Sequence, residues 1–318
     1  KIVAKTDEIV TVPLKPIQEL IQGENHYYML PKTFRKAKGV LIVLHSCKRS
    51  GLEFFHLPED RILAQDALKQ GLAVLALTSQ DRDSGCFTQK DVSWVGNVVD
   101  EWARTHGLET VSRYGLGMSS GGSFLFFVHK ELKLESMVVY NTPQGFLPAD
   151  IEDKAMIPTA FVTMPRDKLM VKEMRSNYNE LVQKEIPSQI FRVSPRPFTK
   201  SLCTGRFPEM LANDCDSFFE LLQKDYSQLL DKDGFVAEDL ISGQWQTLFE
   251  TLGLDSQTNE LYFQTALASS GHSWTWAAIE QEVRTCHAYH GMTSEHHSSV
   301  LAFLLSPVGA PSDGSVGD

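Results

Sequence analysis

Long hydrophobic runs are missing from this 318-residue chain. The longest apolar stretches, such as Val40–Leu44 and Leu72–Leu77, are strand-sized, so no membrane-spanning helix is expected. An excess of positive charge is missing too. The formal net charge of -10 argues against nucleic acid or an anionic membrane as partner. Cysteine is scarce: Cys47, Cys86, Cys203, Cys215 and Cys286 are too few for a disulfide-scaffolded fold, and an odd count leaves at least one unpaired within the chain. No Asn-X-Ser/Thr sequon occurs, which leans against a glycosylated secreted product. Neither an initiator Met nor an apolar signal core stands at Lys1. The expectation is a soluble processed protein, organellar or secretory after loss of a targeting segment, with the compartment open.

What is present fits a folded enzyme-sized protein. The composition is 42% hydrophobic and 22% charged, and the length allows one large core or a core plus a smaller cap. Short strand candidates, Ile9–Val12 and Tyr27–Leu30, flank a turn containing Gly23. Apolar strands then alternate with helix patterns. Val40–Leu44, Leu72–Leu77, the strand ending at Gly117, Ser136–Tyr140, Thr159–Thr163 and Gln189–Val193 read as buried strands. Residues 60–69, 91–106, 121–131 and 170–184 read as helices, the second from the spacing of Val92, Val95, Val99 and Trp102. This alternation predicts an α/β fold with a mostly parallel sheet covered on both faces and function at the strands' carboxyl ends. The pattern stops over residues 196–285, where helices are expected as an insertion or cap. Asp231-Lys232-Asp233-Gly234 looks like part of a calcium loop but lacks the later ligands, so it reads as a turn. A final helix runs from Ser294 to Leu305, and residues 307–318 read as a flexible tail.

The motif with chemical content is Gly117-Met118-Ser119-Ser120-Gly121. A strand precedes it and the apolar run Gly122–Val128 follows. Small residues let the chain turn sharply enough to lift the Ser119 hydroxyl clear of a sheet. A Gly/Ser-rich turn ahead of a buried helix is the plainer alternative. A nucleophilic serine needs a base, and the base needs a carboxylate to orient it. Enzymes with this turn carry them in the chain order serine, acid, histidine. Asp167 stands just past the Thr159–Thr163 strand, where that acid belongs, with Asp150 and Asp153 as reserves. His290 precedes the final helix at the spacing expected of a base loop. His272, in Gly271-His272-Ser273, is the competitor. His296 and His297 fall inside the helix.

The oxyanion donors would be backbone N–H groups. One is Ser120, after the nucleophile. The other comes from the loop after Val40–Leu44, where Ser46 and Cys47 are nearest; His45 would shape that loop. Lys48 and Arg49 could meet a substrate carboxylate or simply be solvated. Cys47 and Cys86 are both carried to the sheet's carboxyl edge. A disulfide there would brace the oxyanion loop, and two buried thiols are the alternative.

Together these segments resemble the α/β-hydrolase superfamily, over roughly residues 38–195 and 286–306. Leu44-His45-Ser46-Cys47 is similar to the H-G-C loop of some esterases and polyester depolymerases, with Ser46 in place of the usual glycine. Ala288-Tyr289-His290 after a long insertion resembles a hydrolase group of photosynthetic eukaryotes. The resemblance implies hydrolysis of an ester, thioester or amide with no metal or organic cofactor. The expected partner is a small-molecule substrate with a largely apolar or aromatic acyl group, covered by the insertion, with Trp274 or Trp276 supplying aromatic surface. An acyltransferase or lyase on the same scaffold, or a non-catalytic ligand-binding protein, are the other readings. The sequence gives no oligomeric state.

Overall fold

The computed structural model describes residues 14–33, 37–81, 83–142, 156–206, 212–237, 243–251 and 273–307. Eight strands form one sheet: β1 Ile17–Ile21, β2 Glu24–Met29, β3 Gly39–Leu44, β4 Leu72–Leu77, β5 Ser112–Met118, β6 Leu134–Tyr140, β7 Thr159–Thr163 and β8 Ser188–Arg192. Their spatial order is β1-β2-β4-β3-β5-β6-β7-β8. The β1–β2 and β2–β4 pairings are antiparallel and the others parallel. This mixed, mostly parallel sheet flanked by helices has the α/β-hydrolase architecture.

Fully apolar strands make sense only if both faces are covered. Side chains alternate across a strand, so β3 sends Val40, Ile42 and Leu44 into one core cluster and Leu41 and Val43 into another. The first cluster is closed by helices α3 Val92–Thr105, α4 Ser120–Val128 and α5 Lys168–Gln183, through Val95, Val99, Trp102, Phe126 and Met174. The second is closed by α1 Glu53–His56, α2 Pro58–Lys69 and the terminal helix, through Phe55, Leu63, Ala64, Leu301 and Leu304. The spacing of Val95, Val99 and Trp102 thus marks the buried stripe of α3.

Between β8 and the terminal helix the chain forms α6 Lys200–Arg206, α7 Ala212–Asp225, α8 Gly243–Thr251 and α9 Ser273–His287; the terminal helix, α10, is His297–Leu305. Phe198, Phe218, Phe219, Leu222, Trp245, Leu248, Ile279 and Val283 make a third apolar cluster. Asp231 closes a turn: its Oδ1 accepts from the N–H groups of Asp233 and Phe235, both at 2.9 Å.

Several boundaries differ from expectation: β2 is Glu24–Met29 rather than Tyr27–Leu30, β6 starts at Leu134 and α4 ends at Val128. The partner of β2 is Ile17–Ile21, whose Ile17 and Leu20 are 52% and 68% exposed. Such an edge strand shows no apolar alternation and could not be recognised from pattern alone. The terminal helix starts at His297 rather than Ser294; ahead of it, the Ser294 N–H and the Thr293 hydroxyl both donate to the Glu59 carboxylate. Ile9–Val12 and residues 308–318 lie outside the described residues. Among the described residues no helix is long and apolar enough to cross a membrane.

Candidate active site

Ser119 lies between β5 and α4 with φ 50° and ψ -116°, a backbone state that a non-glycine residue occupies only when its surroundings impose it. The flanking glycines are part of that imposition. A Cβ at Gly117 would stand 2.6 Å from the Gly121 carbonyl oxygen, and one at Gly121 would stand 2.3 Å from the Leu44 carbonyl oxygen. Neither site tolerates a side chain. The second contact also packs the turn against the end of β3, where the candidate oxyanion loop begins. The Ser119 N–H donates to the Tyr140 carbonyl at 2.9 Å, anchoring the turn to β6.

Three of the sequence candidates meet at this edge. Ser119 Oγ is 3.2 Å from His290 Nε2, and His290 Nδ1 is 2.7 Å from Asp167 Oδ2. An ionised carboxylate only accepts, so Nδ1 carries the proton and donates to Asp167. Nε2 of the neutral ring then accepts the Ser119 hydroxyl. The side chain of Asp167 is 8% exposed and that of His290 31% exposed, so the acid is shielded while the imidazole remains partly accessible. Asp167 also caps α5, accepting from the Met170 N–H at 3.4 Å, which fixes its carboxylate one turn past β7. Asp150, Asp153 and His272 lie outside the described residues, so no geometry bears on them. Trp274 and Trp276 fall in the first turn of α9.

The loop after β3 is held by groups that the sequence does not reveal. Ser79 N–H donates to His45 Nε2 at 3.1 Å, so the proton of a neutral His45 sits on Nδ1 and is donated to the Ser46 carbonyl at 2.7 Å. A trans peptide points its N–H opposite its C=O, so this bond also orients the Cys47 N–H. Cys47 and Cys86 form a disulfide. The Ser79 hydroxyl, with a single proton to donate, lies 2.7 Å from the Cys86 carbonyl and 3.0 Å from the buried Asp91 carboxylate, which also accepts from the Gln80 N–H at 2.8 Å, the Thr88 N–H at 2.8 Å and Trp94 Nε1–H at 3.2 Å. A Thr-x-x-Asp capping box, Thr88 to Asp91, was the available signal for Asp91. Ser120 is the first residue of α4, where backbone N–H groups lack intrahelical acceptors.

Of the loop's two basic residues, Lys48 is exposed and Arg49 is engaged by the protein itself. Arg49 pairs with Glu53 at 3.1 Å and with Glu280 at 3.6 Å, so it is an internal tie and not a solvated charge. Burial pushes the Glu53 carboxyl up to about 7 against the opposing pull of Arg49. Next to Asp167, Arg166 donates to the Val236 carbonyl at 2.9 Å and lies 2.5 Å from His287 Nδ1, which joins the acid-bearing segment to the helical stretch between β8 and α10. His296 binds the Arg192 carbonyl and His297 the Ser294 carbonyl, and neither bonds to Ser119. Among the described residues no group of three or more His, Cys, Asp or Glu side chains is placed to hold a metal ion.

No family model and no curated protein matches the chain. It is similar to solved structures, among them a carboxylesterase from Mesorhizobium loti, 17% identical, with 55% of this chain and 89% of that one covered at a TM-score of 0.40. A Bacillus cereus carboxylesterase is 16% identical, with coverage of 52% and 82% and a TM-score of 0.40. An esterase/lipase from an uncultured bacterium is 10% identical, with coverage of 57% and 75% and a TM-score of 0.42. Similarity at this level carries no weight for fold or function; the sheet order and the Ser119–His290–Asp167 geometry stand on their own.

Proposed function

We propose that the protein is a serine hydrolase that cleaves an ester or thioester of a small, largely apolar or aromatic acyl group. The observation that carries the reading is the unbroken chain from Ser119 Oγ through His290 to Asp167, with spacings of 3.2 and 2.7 Å, at the carboxyl edge of the sheet. His290 takes the Ser119 proton as the oxygen attacks the acyl carbonyl. Asp167 holds the imidazole tautomer and balances the imidazolium that forms. His290 then protonates the leaving group. Water, deprotonated by His290, releases the acyl group from Ser119.

The tetrahedral oxyanion would be met by the Ser120 N–H and by the Ser46-Cys47 loop. Cys47 is the favoured donor of the two, since His45 holds the preceding carbonyl away. The segment over residues 196–285 would cover the pocket as a cap. The bond from Arg166, next to the acid, to the Val236 carbonyl of that segment supports that role. The narrower resemblance to hydrolases of photosynthetic eukaryotes has no support among the matches and adds nothing to the substrate assignment.

The test is turnover of p-nitrophenyl butyrate by the whole chain and by Ser119→Ala. Wild type is expected to release nitrophenol and butyrate, and the variant to lose activity at least about a thousandfold while keeping its circular dichroism spectrum. Equal turnover by both proteins would refute the reading. A butyryl ester of added alcohol as main product would instead favour an acyltransferase.

A further inference from the structure

Nucleophile, acid and base arrive on three different segments, and all three are tied to one dipeptide at the end of β6. Tyr140 accepts the Ser119 N–H through its carbonyl at 2.9 Å. Asn141, the next residue, is fully buried and holds a φ of 40°. Its backbone N–H donates to the Val162 carbonyl at 3.2 Å, extending the β6–β7 pairing past the strand end. Its side chain then reaches the other two segments. Oδ1 accepts from the Met164 N–H at 3.1 Å, where the acid-bearing segment leaves β7. Nδ2 donates to the Gly291 carbonyl at 2.8 Å, one residue past His290.

An amide satisfies both bonds at once, with its donor and its acceptor on separate atoms. Met164 N–H needs an acceptor, Gly291 C=O needs a donor, and the two are reached from one short side chain. The two partners also fix which way the amide faces. A left-handed backbone suits asparagine, but glycine or aspartate would serve that need equally well. The base loop has particular need of outside support, because Ala288 and His290 themselves hold positive φ values of 55° and 34°. Such conformations persist only where neighbours impose them.

We infer that Asn141 is a positioning residue for this site: its amide fixes the segment carrying His290 relative to the segment carrying Asp167. The inference rests on the hydrolase reading. It assigns Asn141 no contact with substrate and no part in proton transfer. Its effect should therefore fall on kcat, where misplacement of reacting groups is felt, and leave KM nearly unchanged.

Two variants test it, with p-nitrophenyl butyrate as substrate and active sites counted by fluorophosphonate titration. Asn141→Gly keeps the left-handed backbone and removes both side-chain bonds. Per titrated site, kcat is expected to fall about 10- to 100-fold with KM within about twofold, the size of effect that a displacement near 1 Å produces. Asn141→Asp keeps the shape and the acceptor for Met164 but places a negative charge beside the base loop, against the Gly291 carbonyl. A nearby opposite charge favours the imidazolium, so the acid limb of its kcat/KM profile should move up by roughly one pH unit. In parallel, the low-field proton resonance of His290 Nδ1–H should be present in wild type and shifted or lost in Asn141→Gly, a readout that needs no turnover. If kcat per site, pH profile and the His290 resonance match wild type in both variants, while only the melting temperature falls, Asn141 is merely structural and the inference is overturned. A wild-type protein that shows the His290 resonance but neither hydrolyses the ester nor reacts with the probe overturns the hydrolase reading, and the positioning role with it.

Discussion

Val40, Ile42 and Leu44 of β3 pack into one apolar cluster and Leu41 and Val43 into the other, whereas the helical insertion meets the core through charge. Glu59 at the start of α2 and Glu282 on α9 are both fully buried, and Arg196 and Arg206 lie between them. Glu59 pairs with Arg196 at 2.8 Å and with Arg206, and Glu282 pairs with Arg196 at 3.0 Å and Arg206 at 3.3 Å. Arg206 and Arg196, with the Ser294 N–H, hold the Glu59 carboxyl well below its usual range against the cost of burial. Glu282 is pushed up to about 7 by burial and by the charge of Glu59. Apolar packing is indifferent to exact pairing, while a buried ion cluster fails when one member is lost. The contact of this helical stretch with α2 therefore depends on each member of the cluster. Glu59 also receives Ser294 and Thr293, so the same carboxylate ties the attachment to the segment just after His290.

The largest expected effect lies on the sheet side of that comparison, at its carboxyl edge. His290→Ala should lower kcat/KM for p-nitrophenyl butyrate about ten-thousandfold or more, since residues that act as one nucleophilic unit fail together. His272→Ala should stay close to wild type. A severe His272→Ala with a nearly normal His290→Ala would transfer the base to His272.

The attachment is tested next by Glu59→Ala. Two arginines would then face Glu282 alone, and the Ser294 N–H would lose its acceptor. The expected loss is about 3–5 kcal/mol in urea unfolding, the range for breaking a buried pair from one side. A loss below about 1 kcal/mol, as for a surface ion pair, would mean that solvent reaches the cluster.

A smaller, pH-dependent effect separates burial from pairing. Burial pushes the Asp60 carboxyl from an ordinary 3.8 up to about 7, with the charge of Glu53 adding to it and the bond from Gln281 opposing it. The folded state therefore keeps a proton that the unfolded chain releases. The stability from neutral Asp60 is complete below 3.8 and is lost as the pH rises through about 7. Asp60→Asn cannot ionise. Its unfolding free energy should match wild type in acid and exceed it by about 1–3 kcal/mol at about pH 8. A variant less stable than wild type at about pH 8 would show that the ionised Asp60 is favourably solvated or paired.

The two regions also differ in how much the sequence disclosed. The β4 and β7 boundaries were legible because continuous apolar runs between helices have one sensible reading. Ser119, Asp167 and His290 were legible because a tight turn, a strand end and a pre-helix loop each leave a local mark. The Cys47–Cys86 bond was open on sequence grounds: the topology brings both residues to one edge, but proximity alone does not distinguish a bond from two thiols. The Glu59–Arg196–Glu282–Arg206 cluster was not legible. Its members are spread over three helices and the loop after β8, and each, read singly, is an ordinary charged residue. Asn141 was hidden for a similar reason, since its partners Met164 and Gly291 are backbone groups that carry no sequence signal.

The most direct test of the site is covalent. The whole chain would be treated with a fluorophosphonate probe and its peptides mapped by mass spectrometry, with Ser119→Ala and His290→Ala in parallel. The expected result is one modified peptide in wild type, carrying the adduct on Ser119, with no adduct in Ser119→Ala and strongly slowed labelling in His290→Ala. An adduct on another serine with Ser119 unmodified would contradict the assignment of Ser119 as the nucleophile.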